Sequence, residues 1–488
     1  MSLKNDAVAG WVLGWTLGIV ALARLLTLGL YPLTDTTEAR YAEVARKMVE
    51  LGDWITPWYD YGVPFWAKPP LTTWLTAASL KLFGVNEFAA RLPYFLLAVV
   101  IAWLVWGWVA RRSRREALLA VSLLSGTMLY FIASAAVMTD LGLVLGTTLA
   151  MRGFWARFGS AVPARPHEAW LLFVGLGIGL LAKGPIAVVL SAMPIVLWAI
   201  FTGNVVNTWK KIPWIRGGLI SLAIAAPWYV MAEMRTPGFW EYFFIGEHWS
   251  RFTVTGWAGD KYGTAHATAR GAIWLLALGA CLPWTVLLPM LALGRKASPQ
   301  PAQAPPVLTA KRQWRAYLLA WAVAPCLFFT LSGNILWTYV LPALPALAML
   351  AAGWLAHDAR TRLVDGVVAA GVLIMALLVG AFFLREQIGD SWKTAKTVVQ
   401  AYRFRNPDNR PLLFVGELPY SASFYTLGKA RSVAGPAELA LRLNQGPMFL
   451  ALNGDQVRAM TSELAGKLRL EARAGIYTLY SPAPPAAK

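Results

Sequence analysis

Six short polar motifs in this chain carry residue types that could handle a phosphorylated molecule. The first is Asp35-Thr36-Thr37-Glu38-Ala39-Arg40-Tyr41, running into Val44, Ala45, Met48 and Val49, which with Tyr41 mark one helical face. Asp35 and Glu38 have the spacing of a capping box, which would also hold a carboxylate firmly in place. The second is Phe65-Trp66-Ala67-Lys68-Pro69-Pro70, where two prolines deny helix to Lys68 and leave it on a stiff loop. A lysine so fixed meets phosphate as a point charge. Asp140 follows an apolar stretch and is either a helix cap or a site carboxylate at the end of a span. Lys183-Gly184-Pro185, Glu247-His248-Trp249-Ser250-Arg251 and Tyr339-Val340-Leu341-Pro342 complete the set. One carboxylate could take a proton from an acceptor oxygen, while cations stabilise a departing phosphate. With four His, no H-E-x-x-H and no Cys/His cluster, a divalent metal is only weakly supported.

The elements that must position these residues are apolar. Of 488 residues 57% are hydrophobic and 14% charged, against about 25% charged in soluble domains. A single core cannot absorb that surplus, so it faces lipid. Stretches long enough to span a bilayer fall at 9–31, 88–110, 117–137, 139–156, 169–182, 185–202, 215–232, 271–294, 315–332, 336–356 and 366–384. The first reads as a retained helix rather than a cleaved signal. The net charge of +19 sits in short clusters between spans, which points to membrane topology and away from nucleic acid. Arg111 to Arg115, Arg157 and Arg165, Lys210 to Arg216, Arg295 to Arg315, and Arg360 with Arg362 follow the even-numbered spans. Those loops are therefore cytoplasmic, as is the N-terminus. Loops 32–87 and 233–270 and the C-terminal tail lie outside, and all six motifs share that face.

The stretch 295–313 reads as a flexible linker. Beyond about 390, strands at 412–415, 448–452 and 476–480 alternate with helices at 421–428, 436–444 and 455–467, a small α/β domain. Cys281 and Cys326 lie in apolar runs and give no disulfide framework. The sequence holds no nucleotide-binding glycine motif and no internal repeat. A transporter or flippase would place its charges near the midplane of repeated halves rather than at the outer ends of spans.

In combination and order, the 37–43 loop, Lys68-Pro69, Asp140, Lys183-Gly184-Pro185, Glu247-His248-x-x-Arg251-Phe252 and Tyr339-x-Leu341-Pro342 resemble the aminoarabinose-transferase-like membrane glycosyltransferases, relatives of the protein O-mannosyltransferases. The resemblance runs from about 31 to 345. It implies a GT-C bundle of about eleven to thirteen transmembrane helices (1–388) with a small C-terminal periplasmic α/β domain (389–488). It also implies a bacterial inner-membrane enzyme that moves a sugar from undecaprenyl phosphate, with inversion, to lipid A or another envelope glycan. Protein or O-antigen is the alternative acceptor. By position Arg40, Lys68 and Tyr339 would contact the donor phosphate. Asp140 would be an acidic site residue, and Tyr41, Lys183, Glu247, His248 and Arg251 would line the cavity. Thr37 stands where relatives often carry the proposed catalytic Asp, which leaves Asp35, Glu38 and Asp140 as candidate bases. Ala67 replaces the Glu that precedes the loop lysine in aminoarabinose enzymes, which argues against a metal there and against aminoarabinose as the sugar.

Overall fold

The computed structural model describes residues 2–483 apart from 36, 160–165, 265, 296–304, 390 and 444. Thr36, Arg165 and Lys296 therefore lie outside the described residues. All eleven apolar stretches coincide with helices. Among the described residues five are long and apolar enough to cross a membrane alone: Gly10–Thr27, Glu87–Val109, Trp214–Arg235, Trp337–Leu355 and Thr361–Gln387. The pair Ile273–Ala280 and Trp284–Leu293, bent by 76°, is either a broken sixth span or a re-entrant loop. Five or six of the eleven stretches thus pass on length and composition alone. Leu171–Lys183 and Ile186–Phe201 are only 13 and 16 residues long, Pro305–Phe329 carries Lys311, Arg312 and Arg315, and two others differ for separate reasons. The stretch 117–137 is broken into Arg114–Ser125 and Met128–Ala133. Helix Asp140–Phe158 carries charge and is mostly buried by protein, so it needs no continuous lipid-facing surface. The linker expected at 295–313 is also shorter than read, because helix Pro305–Phe329 extends through its second half.

Helices Asp140–Phe158 and Leu171–Lys183 set the frame of the site. Their contact is backbone against backbone. A Cβ at Gly153 would stand 2.1 Å from the Leu172 nitrogen, and one at Gly175 would stand 2.4 Å from the Gly146 carbonyl. Small residues at such a crossing replace the hydrophobic drive that lipid cannot supply. The approach brings the first residue of one helix, Asp140, beside the last of the other, Lys183.

The loops separate into two groups. At one end Arg111 and Arg152 both reach Glu168, at 2.5 and 3.1 Å. Arg157 donates to the Lys211 carbonyl at 2.6 Å, Arg115 to Asp365 at 2.9 Å and Arg360 to the Leu291 carbonyl at 2.7 Å. These are the basic exits of the even-numbered stretches. The six motifs gather at the other end, as described below.

Past the last span lies a five-stranded sheet of β3 (Leu412–Val415), β4 (Arg431–Val433), β5 (Phe449–Asn453), β6 (Leu468–Ala474) and β7 (Tyr477–Pro482), ordered β4-β3-β5-β7-β6. β3 runs parallel to β4 and β5, and β7 antiparallel to β5 and β6. Phe414, Phe449 and Leu479 pack one face against Val398 and Val399 of helix Lys396–Arg405. Leu450, Leu452 and Tyr480 pack the other against Leu439. The first outer loop adds its own small hairpin, β1 (Trp58–Asp60) with β2 (Val63–Pro64).

Candidate active site

Four cations converge from three outer segments, Arg40 and Lys68 both belonging to the first outer loop. Lys68 sits on its proline-stiffened turn and donates to the Ala67 carbonyl at 2.7 Å and to Glu247 Oε2 at 2.9 Å. Arg251, one helical turn after Glu247, reaches the same carboxylate at 3.1 Å and Asp260 at 3.1 Å. Burial would raise the pKa of Glu247, but Lys68 and Arg251 more than offset it and hold the carboxyl below its ordinary value. Lys183 donates to Asp140 Oδ1 at 2.5 Å, and its ammonium lies 5.1 Å from the Tyr339 ring centroid. Tyr339, on the 3₁₀ turn Trp337–Ala343, is within electrostatic reach of Lys68, Arg251, Asp140 and Glu247. Arg40 completes the set. Its Nη1 donates to the Tyr262 carbonyl, and its guanidinium lies 5.3 Å from the Tyr41 ring. The Arg40 Nε is buried and meets no acceptor among the described residues. Tyr41 packs edge-on against Phe65 at 5.8 Å and lies within electrostatic reach of Arg251.

His248 supports this cluster from below. Its Nδ1 is 2.7 Å from the Phe243 carbonyl and its Nε2 3.3 Å from the Lys183 carbonyl. Burial pushes its imidazole below the ordinary value against the pull of those two carbonyls. Gly184 makes this contact possible: its φ is +86°, and a Cβ there would stand 2.6 Å from Phe243 and 3.0 Å from His248. Asn334 ties down the strip that follows Arg251. It donates to the Arg251 and Val254 carbonyls at 2.6 Å and accepts from Gly256 at 2.9 Å. Beside Arg251, a cavity of about 320 Å³ is lined by Trp257, Asp260, Gly263 and His266 among others. His266 lies within electrostatic reach of both Arg251 and Arg40.

The carboxylates of the first loop are placed differently. Glu38 is held bidentate by Arg91 at 2.7 and 2.8 Å. Arg91 has no solvent exposure and spends its remaining donors on the carbonyls of Leu28, Tyr31 and Pro32 at 2.7–2.8 Å. Asp35 accepts from the Ser421 backbone at 3.0 Å and from the Ser421 hydroxyl. Burial raises its pKa against those bonds. Both carboxylates are thus taken up by contacts that hold the loop, Glu38 also accepting from the Thr34 N–H at 3.4 Å, and among the described residues Asp35 makes no bond to the helix it precedes. Asp140 likewise turns to Lys183 and makes no cap to its own helix.

Removing Arg91 leaves the Glu38 carboxylate with only the Thr34 and Val137 N–H groups, at 3.4 and 3.3 Å, and takes a charged donor from three buried carbonyls. Arg91→Met is expected to destabilise the fold by about 3–5 kcal/mol. Thermal unfolding in detergent would register this, with Arg91→Lys recovering only part, since one ammonium cannot match the guanidinium fork.

Sequence reasoning missed Arg91, Asp260 and Ser421. Arg91 sits inside an apolar stretch, and the partner of Asp35 lies 386 residues away. Among the described residues no three His, Cys, Asp or Glu side chains group closely enough to hold a metal ion.

Residues 20–243 match the family model for dolichyl-phosphate-mannose-protein mannosyltransferase. Among curated proteins, the undecaprenyl phosphate-alpha-4-amino-4-deoxy-L-arabinose arabinosyl transferase of Erwinia tasmaniensis is 32% identical over 385 residues, covering 73% of this chain and 64% of that protein. The enzyme of the same name from Aeromonas salmonicida is 34% identical over 346 residues, covering 67% and 57%. The chain thus spans less than two thirds of the length of these relatives. The crystal structure of ArnT from Cupriavidus metallidurans bound to undecaprenyl phosphate superposes with a TM-score of 0.77 at 20% identity, covering 98% of this chain and 99% of that one. Its apo form gives the same TM-score. The fold is therefore that of this crystal structure, a helical membrane bundle with a small C-terminal sheet domain.

Proposed function

We propose that this chain, aminoarabinose-transferase-like in fold and motif order, is an inverting glycosyltransferase. It takes a sugar from an undecaprenyl-phosphate donor and passes it to an envelope acceptor, lipid A phosphate first among them. The observation that carries the proposal is the convergence of Arg40, Lys68, Lys183 and Arg251 from three outer segments, with a buried Arg40 Nε that meets no acceptor among the described residues. A phosphate at this place supplies the oxygens that such donors need. As the acceptor oxygen attacks the anomeric carbon, the bond from that carbon to the phosphate oxygen breaks and negative charge grows on the departing phosphate. Fixed cations stabilise that charge more in the transition state than in the ground state. Glu247 keeps Lys68 and Arg251 in place, and Asp140 does the same for Lys183. An acceptor phosphate oxygen is already ionised, so its attack needs no base, consistent with Asp35 and Glu38 being occupied elsewhere.

The multi-pass chain is read as an inner-membrane protein with its basic end cytoplasmic, which puts the site and residues 389–488 in the periplasm. Residues 1–388 form the transferase domain. The match to a protein mannosyltransferase family supports a second reading, in which the acceptor is a hydroxyl of protein or O-antigen.

Purified protein supplied with undecaprenyl-phosphate sugars is expected to release undecaprenyl phosphate only when an acceptor is present. Lipid A and its dephosphorylated form distinguish the two acceptor chemistries. Folded protein that turns over no donor with any acceptor rules the proposal out.

A further inference from the structure

The C-terminal sheet domain grips the first outer loop at two places. In the first, Ser421, fully buried, gives Asp35 both its backbone N–H and its hydroxyl. The Asp35 N–H donates to the Lys393 carbonyl at 2.7 Å, and the Leu33 N–H to the Tyr425 hydroxyl at 2.8 Å. Tyr425 and Lys396 then bond Glu87, at 2.9 and 2.6 Å, so this grip is anchored on the head of a membrane span. In the second, the Tyr420 hydroxyl bonds that of Tyr59. The Tyr59 ring stacks 6.2 Å from Phe65, which meets Tyr41 edge-on at 5.8 Å.

Both routes end beside the phosphate-facing residues. Asp35 precedes helix Thr37–Leu51, whose first turn carries Arg40. Phe65 lies three residues before Lys68 and packs on Tyr41, the neighbour of Arg40. We infer that Ser421 and Tyr420 are positioning residues: the C-terminal domain fixes the first outer loop so that Arg40 and Lys68 meet the donor phosphate. This rests on the transfer reaction proposed above. In it Asp35 is an anchor and takes no proton from the acceptor. The physical basis is that a displacement of about 1 Å in a charge that must meet the transition state can cost about 10²-fold in rate.

The full-length protein in detergent is the material for the test, with an undecaprenyl-phosphate sugar as the varied substrate. Ser421→Ala is expected to lower kcat/KM about tenfold, mainly through a higher KM for the donor. Asp35→Ala also gives up the Ser421 N–H and should lose somewhat more, and the double variant little beyond Asp35→Ala, because both changes act on one link. Asp35→Asn keeps an oxygen for the Ser421 N–H and should fall between Asp35→Ala and the parent. The pH–rate profile should keep its shape throughout. Tyr420→Phe cuts the second link without touching the buried serine, and a loss of about threefold is expected, which serves if Ser421→Ala does not fold. A Ser421→Ala or Tyr420→Phe enzyme with parental KM and kcat, whatever its melting temperature, overturns the inference while leaving the transfer reaction standing. So does an Asp35→Asn enzyme that loses all turnover, since that would make Asp35 the base. A parent enzyme inactive on every donor sinks both.

Discussion

Lys68→Ala is expected to lower kcat/KM by about 10³-fold, roughly 4 kcal/mol of transition-state stabilisation. Two losses add. The first is the fixed ammonium itself, since removing one preorganised stabiliser of developing charge costs about 10²–10³. The second comes from its partner. Glu247 has 2% side-chain exposure and is balanced by Lys68 at 2.9 Å and Arg251 at 3.1 Å. Without Lys68 it faces the incoming phosphate as a like charge half compensated. It follows that Lys68→Ala combined with Glu247→Gln should work better than Lys68→Ala alone, although each change removes a site residue. Release of undecaprenyl phosphate under donor-limited conditions measures both effects, with gel filtration checking the fold. Parental kcat/KM in Lys68→Ala would mean that the donor phosphate is held elsewhere.

The membrane frame was legible because its signal is compositional and local. Every apolar stretch became helix, and the positive-inside pattern correctly grouped the loops that touch one another, such as Arg111 with Glu168 and Lys68 with Glu247. What escaped was pairing across sequence. Glu38 and Arg91 stand 53 residues apart, and an arginine inside an apolar stretch gives no periodic sign of its partner. In the outer domain β3, β5 and β7 appeared as apolar runs because they are buried on both faces. β4 and β6 did not, because they are the two edges of the sheet. On β6 the charges Arg469, Glu471 and Arg473 occupy the positions that an inner strand would give to apolar residues. Lys68 was legible from its proline-stiffened turn, whereas Asp260 and Tyr262, the partners of Arg251 and Arg40, lie in a loop with no period at all.

Asp140 tests whether ion pairing or capping explains a carboxylate at a helix start. Asparagine caps helices as well as aspartate does, so Asp140→Asn spares any capping role and removes only the charge. In this fold the charge faces Lys183 at 2.5 Å, with side-chain exposures of 11% and 13%. Each residue is also placed where its helix dipole favours it, the acid at an N-terminus and the base at a C-terminus. Without the negative charge, the Lys183 ammonium loses the contact that holds it 5.1 Å from the Tyr339 ring, at the wall shared with Lys68 and Arg251. Asp140→Asn is therefore expected to lower kcat/KM about 10²-fold, as a stabilising cation becomes mobile. If Asp140 acts by holding Lys183, adding Lys183→Ala to Asp140→Asn should cost little beyond the larger single loss, because one device has been broken twice. If it took a proton from the acceptor, the two losses would multiply, and the acid limb of the pH–rate profile would vanish in Asp140→Asn alone. Near-parental turnover by Asp140→Asn would show that this charge, despite its buried partner, contributes nothing to transfer.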